Sequence, residues 1–318
     1  MNNRYLSIAI LILVVAGLAA FLSSEKSLLP QLMHVDLTLM VCLVILRFLF
    51  LVTNGLFLKT YSDRFGIRLS VKEWLGLSIV TTMGNFVTPF SGGLMARAAY
   101  LKHRHGFSYA DFTTSLAANY LVNFWVISLT GIVVLLFLGT SSPGMLPLVL
   151  FFAAATAVTS LLAVVPVGEL RGGSLLTKNL NQVLKGWTMI RKDRLFLEKL
   201  VLYVFVNIAI NGLSFYLAYI ALGSDVTFLA SLVVSLLTSF SLLVNLTPGN
   251  LGIQEAVTSL SSALLGLGAG LGLLVALIIR AASLLPVVGL GPVFSYFLTK
   301  ELAAGRPGVT DTGGHRSG

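Results

Sequence analysis

The sequence predicts an all-α polytopic membrane protein built as an inverted repeat, with six full transmembrane helices plus two re-entrant helical hairpins. Three observations carry that expectation. Of the 318 residues, 56% are hydrophobic and 10% are charged, and the mean hydropathy is +0.93, which leaves too little polar side chain to cover a water-soluble globule of this length. Eight apolar segments follow one another along the chain, and two of them are interrupted by Pro and Gly. Finally, the chain repeats itself. Asn54-Gly55-Leu56 is followed by Asn85-Phe86-Val87-Thr88-Pro89, and Asn211-Gly212-Leu213 by Asn245-Leu246-Thr247-Pro248, with 35 residues from Asn54 to Pro89 and 37 from Asn211 to Pro248. A charged residue follows each Pro, Arg97 in the first copy and Glu255 in the second.

Six runs have the roughly 20-residue length a helix needs to cross a bilayer. They cover 5–23, 37–58, 112–138, 147–166, 200–222 and 270–298. The first has a signal-peptide look, with Arg4, an apolar core and then Ser23-Ser24. Its removal would delete the partner of the fourth span, so it is read as an uncleaved anchor. The stretches 74–101 and 226–268 are broken by Pro89 with Gly92-Gly93 and by Pro248-Gly249 with Gly252, where a helix loses hydrogen bonds and bends sharply. Each is expected to be a hairpin that returns to its own side. One transmembrane domain, 1–304, then holds repeat one over 5–138 and repeat two over 147–298. Between the last two spans of that list and the fourth lies a segment, 168–199, whose Leu176, Leu180, Val183, Leu184, Trp187 and Ile190 share one helical face, as an interfacial helix would. The Gly-, Arg- and Thr-rich tail 305–318 is expected to be disordered.

Charge fixes the orientation. With the amino terminus in the cytoplasm, 17 of the 21 Lys and Arg fall on the cytoplasmic side and only Lys26 lies outside. Had the hairpins crossed fully, the basic loop from Gly168 to Lys199 would be external, against the positive-inside bias. Both termini are therefore placed in the cytoplasm, in the inner (plasma) membrane. The net charge of +9 needs no nucleic-acid partner. Cys42, the single cysteine, has no partner for a disulfide or a thiolate metal site. His103-Arg104-His105 reads as a basic patch, since no acid or Cys adjoins it. Nucleotide loops, zinc-protease motifs and nucleophile elbows are absent.

The remaining membrane-embedded cations and the polar residues beside the breaks are the functional candidates. A charge at bilayer depth costs about 2.5–3.5 kcal/mol unless compensated. Arg97 and Glu255 are expected to look into one cavity, Arg97 holding a lipid phosphate and Glu255 engaging an amine, a proton or Arg97 itself. The plainer alternatives are a buried ion pair that fixes packing, or an Arg97 that snorkels to the interface. Arg47 and Arg280 also need partners, and Glu255 can satisfy one of them. Free N–H groups where the half-helices restart, near Ser91 to Leu94 and Asn250 to Ile253, favour anions; alternatively Gly92, Gly93 and Gly252 are small packing residues. Asn85 and Asn245 precede the breaks and are placed to bind freed carbonyls. Asn119 with Asn123, and Asn207 with Asn211, are spaced i, i+4 and line one face each, most simply as interhelical glue.

Pro248-Gly249-Asn250-Leu251-Gly252-Ile253-Gln254-Glu255-Ala256, with Arg97-Ala98-Ala99-Tyr100-Leu101 ahead of a basic cluster and Gly106-Phe107-Ser108, resembles the flippase-like transmembrane family. That family includes the membrane region of lysylphosphatidylglycerol synthases and the membrane portion of an archaeal dolichyl-phosphate glucosyltransferase. The resemblance covers about 5–300 and marks Arg97, Pro248, Gly249, Gly252 and Glu255 as pattern positions. It departs from the family where Pro89-Phe90-Ser91-Gly92-Gly93-Leu94 lacks an acid, and where Asn119, Tyr120 and Asn123 stand in place of ionisable residues.

Catalysis on a lipid asks for two acids, or an acid with a His, and only Glu255 is deep. Transport asks for a pre-shaped cavity, few charges and two inverted halves. The sequence therefore predicts a lipid translocase acting on a phospholipid or polyprenyl-phosphate lipid with an anionic head group, and not an enzyme. The alternative is an accessory subunit docking a glycosyltransferase or lipid-synthesis enzyme. The expected substrate-binding set is Arg97, Glu255, Asn85, Asn245, Gly92, Gly93, Gly249, Gly252 and Arg280, with no catalytic residue, metal or cofactor.

Overall fold

A computed structural model describes residues 36–139, 145–164, 181 and 192–303. Among these residues there are nine α-helices and no strand. They are α1 (Leu37–Arg64), α2 (Val71–Val87), α3 (Gly92–His105), α4 (Tyr109–Leu138), α5 (Met145–Val164), α6 (Arg194–Ala221), α7 (Phe228–Ser239), α8 (Ile253–Leu264) and α9 (Ala269–Ala303). Five of them, α1, α4, α5, α6 and α9, are long and apolar enough to cross a membrane, so the chain is a multi-pass membrane protein. They match the runs predicted at 37–58, 112–138, 147–166, 200–222 and 270–298. The run 5–23, the tail 305–318 and most of the segment 168–199 lie outside the described residues.

Both interrupted stretches are broken where the sequence places Pro. In the first, Thr88 is extended, as the residue before a proline must be, and Phe90 and Ser91 then adopt φ of 53° and 55° before α3 begins. Positive φ costs a side-chain-bearing residue about 1–2 kcal/mol, so tertiary contacts must hold this turn. In the second, α7 runs into the 3-10 turns Phe240–Leu243 and Pro248–Asn250. Gly249 and Gly252 there take φ of 59° and 85°, which glycine adopts without steric cost, and α8 restarts at Ile253.

Helix starts elsewhere follow side-chain chemistry. Ser70 and Glu73 form a reciprocal capping box at α2, while Ser108, Asp193 and Thr227 accept backbone N–H groups at α4, α6 and α7. Each such cap contributes about 1 kcal/mol.

Two glycines set the helix contacts at the centre. Gly55 of α1 receives the indole of Trp74 from the first turn of α2, and Gly212 of α6 receives Leu232 and Phe228 from the start of α7. A methyl at Gly55 would lie 2.5 Å from Trp74 Cε3, and one at Gly212 would lie 2.6 Å from Leu232 Cδ1. Close approach through small residues is how membrane helices gain packing energy. α1 also packs on α6, α2 on α9, and α7 on α4. Phe57, Tyr61, Phe124, Phe152 and Phe196 fill the interior between α1, α4, α5 and α6, with Tyr61 edge-on to Phe196 at 5.1 Å.

Candidate functional site

The helices enclose a cavity of about 360 Å³ between α1, α2, α4, α6 and α7, flanked by both chain breaks. Its wall is polar at positions the helical repeat dictates. Arg47 and Asn54 stand two turns apart on α1, Asn119 and Asn123 one turn apart on α4, and Asn207 and Asn211 one turn apart on α6. Thr81 and Asn85 come from α2, Arg97 and Leu94 from α3, and Asn245, Gly249 and Asn250 from the second break. Among the described residues, two guanidinium groups thus line the cavity, and no Asp, Glu, Lys or His does so.

Neither arginine is matched by a carboxylate among the described residues. Arg97 Nε donates to Thr81 Oγ1 at 2.8 Å. Arg47 Nη2 donates to Asn211 Oδ1 at 3.0 Å and to Ser214 Oγ at 2.5 Å, while its buried Nε has no partner. Asn207 Nδ2 reaches Asn54 Oδ1 at 3.4 Å. The amide oxygens of Asn85, Asn119 and Asn207 are buried without a hydrogen-bond partner. These three side chains share the cavity lining with Arg47 and Arg97.

Glu255 is used differently. It is 2% exposed, and its Oε2 accepts the Gly252 N–H at 2.7 Å while Oε1 accepts from Arg280 Nε. Arg280 Nη1 donates in turn to Gly249 O at 2.9 Å, and its guanidinium lies 6.0 Å from the centre of the Phe86 ring. Acid and base together clamp the second break, and neither belongs to the cavity wall. The expectation that Glu255 faces Arg97 across a shared hollow is therefore not what the geometry gives. A carboxylate in the first turn of a helix is drawn to that helix's own N-terminal N–H groups, and Arg280 on the neighbouring α9 completes its neutralisation.

The other predicted residues divide in the same way. Asn85, Asn245 and Gly249 line the cavity along with Arg97, whereas Gly92, Gly93 and Gly252 do not. Gly93 sits against the Thr81 carbonyl, Gly84 against Gly93, and Gly92 against the Thr88 side chain, so Gly84, Gly92 and Gly93 let α3 close on α2. Asn245 Nδ2 donates not to a freed carbonyl but to Ser91 Oγ at 2.8 Å, tying one break to the other. The carbonyl duty falls to Asn250, whose Nδ2 reaches Ser241 O at 2.9 Å. In the sequence Arg47 stands out as a cation in need of a partner and Asn54 as part of the repeated Asn-Gly-Leu word, while the paired Asn residues of α4 and α6 read most simply as interhelical glue. An unmatched intramembrane Arg on the same face as an Asn was the signal that joined them.

A second polar cluster closes the bases of α2, α3 and α9. His105 Nε2 lies 2.8 Å from Glu73 Oε1, and the Tyr100 hydroxyl, with one proton to donate, lies 3.1 Å from Glu73 Oε1 and 3.0 Å from Glu301 Oε2. His105 is thus turned inward and is not part of a basic surface patch. Burial alone would raise the Glu73 pKa, yet the hydrogen bonds from His105 and the Ser70 N–H hold it at about 2. No group of three or more His, Cys, Asp or Glu is placed to hold a metal ion among the described residues.

Neither the curated proteins nor the solved structures contain a match to this chain. Residues 6–291, which include every helix lining the cavity and the whole Pro248–Ala256 word, match the family described as the lysylphosphatidylglycerol synthase TM region, and the chain belongs to that family.

Proposed function

We propose that this protein is a flippase-like lipid translocase that carries the head group of a phospholipid or polyprenyl-phosphate lipid through the cavity while the acyl or prenyl chains stay in the bilayer. The observation that carries this reading is the pair of guanidinium groups, Arg47 and Arg97, lining a cavity flanked by two broken helices, with no carboxylate to match them among the described residues. Irregular backbone at membrane depth is tolerated where it borders such a cavity. The uncapped start of α3 adds a partial positive charge near Leu94 and Arg97. Membership of a family named for a lipid synthase's membrane region agrees with lipid handling.

The inverted repeat and the re-entrant hairpins belong to this proposal. Exchange of the two halves maps α1 onto α6, α2 onto α7 and α4 onto α9. The α1–α6 contact is then its own counterpart, and the α2–α9 contact becomes α7–α4. The Gly55–Trp74 fit likewise becomes the Gly212–Leu232 fit. These correspondences support two antiparallel halves able to rock about the cavity, the arrangement alternating access uses. Inner-membrane residence with cytoplasmic termini follows from the charge distribution. The protein acts as a carrier in this reading, not as an enzyme: among the described residues the cavity wall offers no carboxylate or imidazole for acid–base work.

The test is reconstitution of the full chain in liposomes with a tail-labelled lipid and a membrane-impermeant quencher. Translocation above protein-free vesicles, lost in Arg97→Gln, is the expected result. A folded protein that moves no lipid but co-purifies with a lipid- or glycan-modifying enzyme would replace the carrier with an accessory subunit.

A further inference from the structure

We infer that the structure captures one of two states of the carrier, and that Tyr219 and Ser262 form the latch that keeps one end of the cavity shut in it. The inference rests on the translocase reading for its purpose and deepens it by naming the shut end and what holds it. Arg64 pairs with Asp193 at 3.0 Å, which puts the end of α1 beside the start of α6, so the last turns of α1 and α6 lie at opposite ends of the bundle. These turns are built alike. Ser62 and Tyr219 each stand eight residues beyond the Asn of an Asn-Gly-Leu word. The carbonyl of Ser62 accepts the Ile67 N–H and that of Tyr219 accepts the Ser224 N–H, each past a glycine, Gly66 or Gly223, with φ of 79° or 72°.

The cavity treats the two turns differently. It reaches Tyr61 and Ser62 on α1, and Phe112 and Ser115 at the start of α4. The Tyr61 and Ser62 hydroxyls are buried there without a hydrogen-bond partner among the described residues. At the other end Ala218 and Tyr219, both 0% exposed, do not line it, and Leu43, Val226, Val234 and Val275 pack around them. The Tyr219 hydroxyl lies 2.5 Å from Ser262 Oγ, which itself donates to the Thr258 carbonyl. Ser262 also seats against Gly272 of α9, so the latch gathers α6, α8 and α9. One such bond shifts a two-state equilibrium about fivefold, enough to bias a carrier without freezing it. A buried hydroxyl without a partner favours any arrangement that supplies one. In the alternate state the Tyr219–Ser262 bond parts, and Tyr61 and Ser62 gain partners as their own end closes.

Thiol labelling with N-ethylmaleimide tests this on the full chain in detergent micelles, with Cys42 replaced by Ser and one probe cysteine at a time. Ser115→Cys reports the end the cavity reaches, and Val234→Cys, at a position 0% exposed, reports the shut end. Labelling should be fast at the first and slow at the second, and the slow rate follows the population of the alternate state while reclosing is rapid. Tyr219→Phe should raise the Val234→Cys rate about fivefold; if it fails to fold, Ser262→Ala breaks the same bond. Ser62→Ala, at the opposite end of the bundle, should lower that rate, because it removes a bond made only in the alternate state. Equal labelling of the two probes, or a Val234→Cys rate that Tyr219→Phe leaves unchanged, overturns the inference. So does a rate that Tyr219→Phe raises and Ser62→Ala does not lower, since that is local loosening. Both shifts in a protein that moves no lipid between leaflets uphold the two-state latch and remove the translocase reading instead.

Discussion

Replacing Glu255 by Gln separates a structural clamp from a transport residue. In the native fold its carboxylate meets Arg280 and the Gly252 N–H at once, and the Arg280 side chain is only 11% exposed. Removing one member of a buried pair strands the other charge, at about 3–5 kcal/mol. Two features place the expected loss at the lower end, about 3 kcal/mol. Arg280 keeps its bond to the Gly249 carbonyl, and a glutamine oxygen still accepts the Gly252 N–H. Stability is read by reversible SDS unfolding in mixed micelles, and transport is read per folded molecule below the unfolding transition. The single variant should lose stability while its folded fraction keeps most of its transport. Glu255→Gln combined with Arg280→Gln should regain at least part of the loss, because no uncompensated charge remains. A Glu255→Gln protein as stable as the parent but unable to move lipid would refute this, and would return Glu255 to the substrate.

Arg97→Gln is expected to do the opposite, abolishing transport while leaving unfolding close to that of the parent, since its one side-chain bond is to the neutral Thr81 hydroxyl and its removal strands no charge among the described residues; the paired SDS and liposome assays check both. Gly55→Ala should destabilise by about 1–3 kcal/mol through the clash with Trp74, whereas Gly289→Ala, with open space around it, should be neutral or stabilising by up to about 1 kcal/mol. For pH, the folded Glu73 pKa lies below its ordinary 4.5, at about 2. Its contribution to stability is therefore complete above pH 4.5 and is lost as pH falls toward 2. Unfolding measured between pH 5 and pH 3 should steepen in the parent and flatten in Glu73→Gln.

Much of the fold was written in local sequence. Long apolar runs and two Pro-Gly interruptions set the five spanning helices and both breaks, because hydrocarbon length and the missing proline N–H act within a few residues. The Asn-Gly-Leu words were also legible, and the structure supplies their reason: Gly55 and Gly212 are the positions where α1 and α6 admit a side chain from the next helix. What could not be read locally was which turn carries the strain. Phe90 and Ser91, neither a glycine, hold positive φ in the first break although Gly92-Gly93 stands beside them. The glycines are consumed by the close approach of α3 to α2, a tertiary demand that outweighs the local cost at the turn.

The site was legible as depth and illegible as pairing. Sequence counts three arginines and one acid inside the membrane segments, and hydropathy fixes how costly each is, but only the relative rotation of α8 and α9 decides which arginine the acid neutralises. The choice of Arg280 over Arg97 or Arg47 has a consequence that the count alone hides. One cation is withdrawn to brace the second break, and the two left on the cavity wall have amides and hydroxyls as neighbours. Amides and hydroxyls hold a guanidinium in place without cancelling its charge, and the proposed translocation needs a wall of this kind, attractive to an anion yet able to release it. A carboxylate in their place would make a tighter protein and a closed site. Asn207 and Asn211 thus tie α6 to α1, the first through Asn54 and the second through Arg47, and leave Arg47 without a carboxylate partner among the described residues.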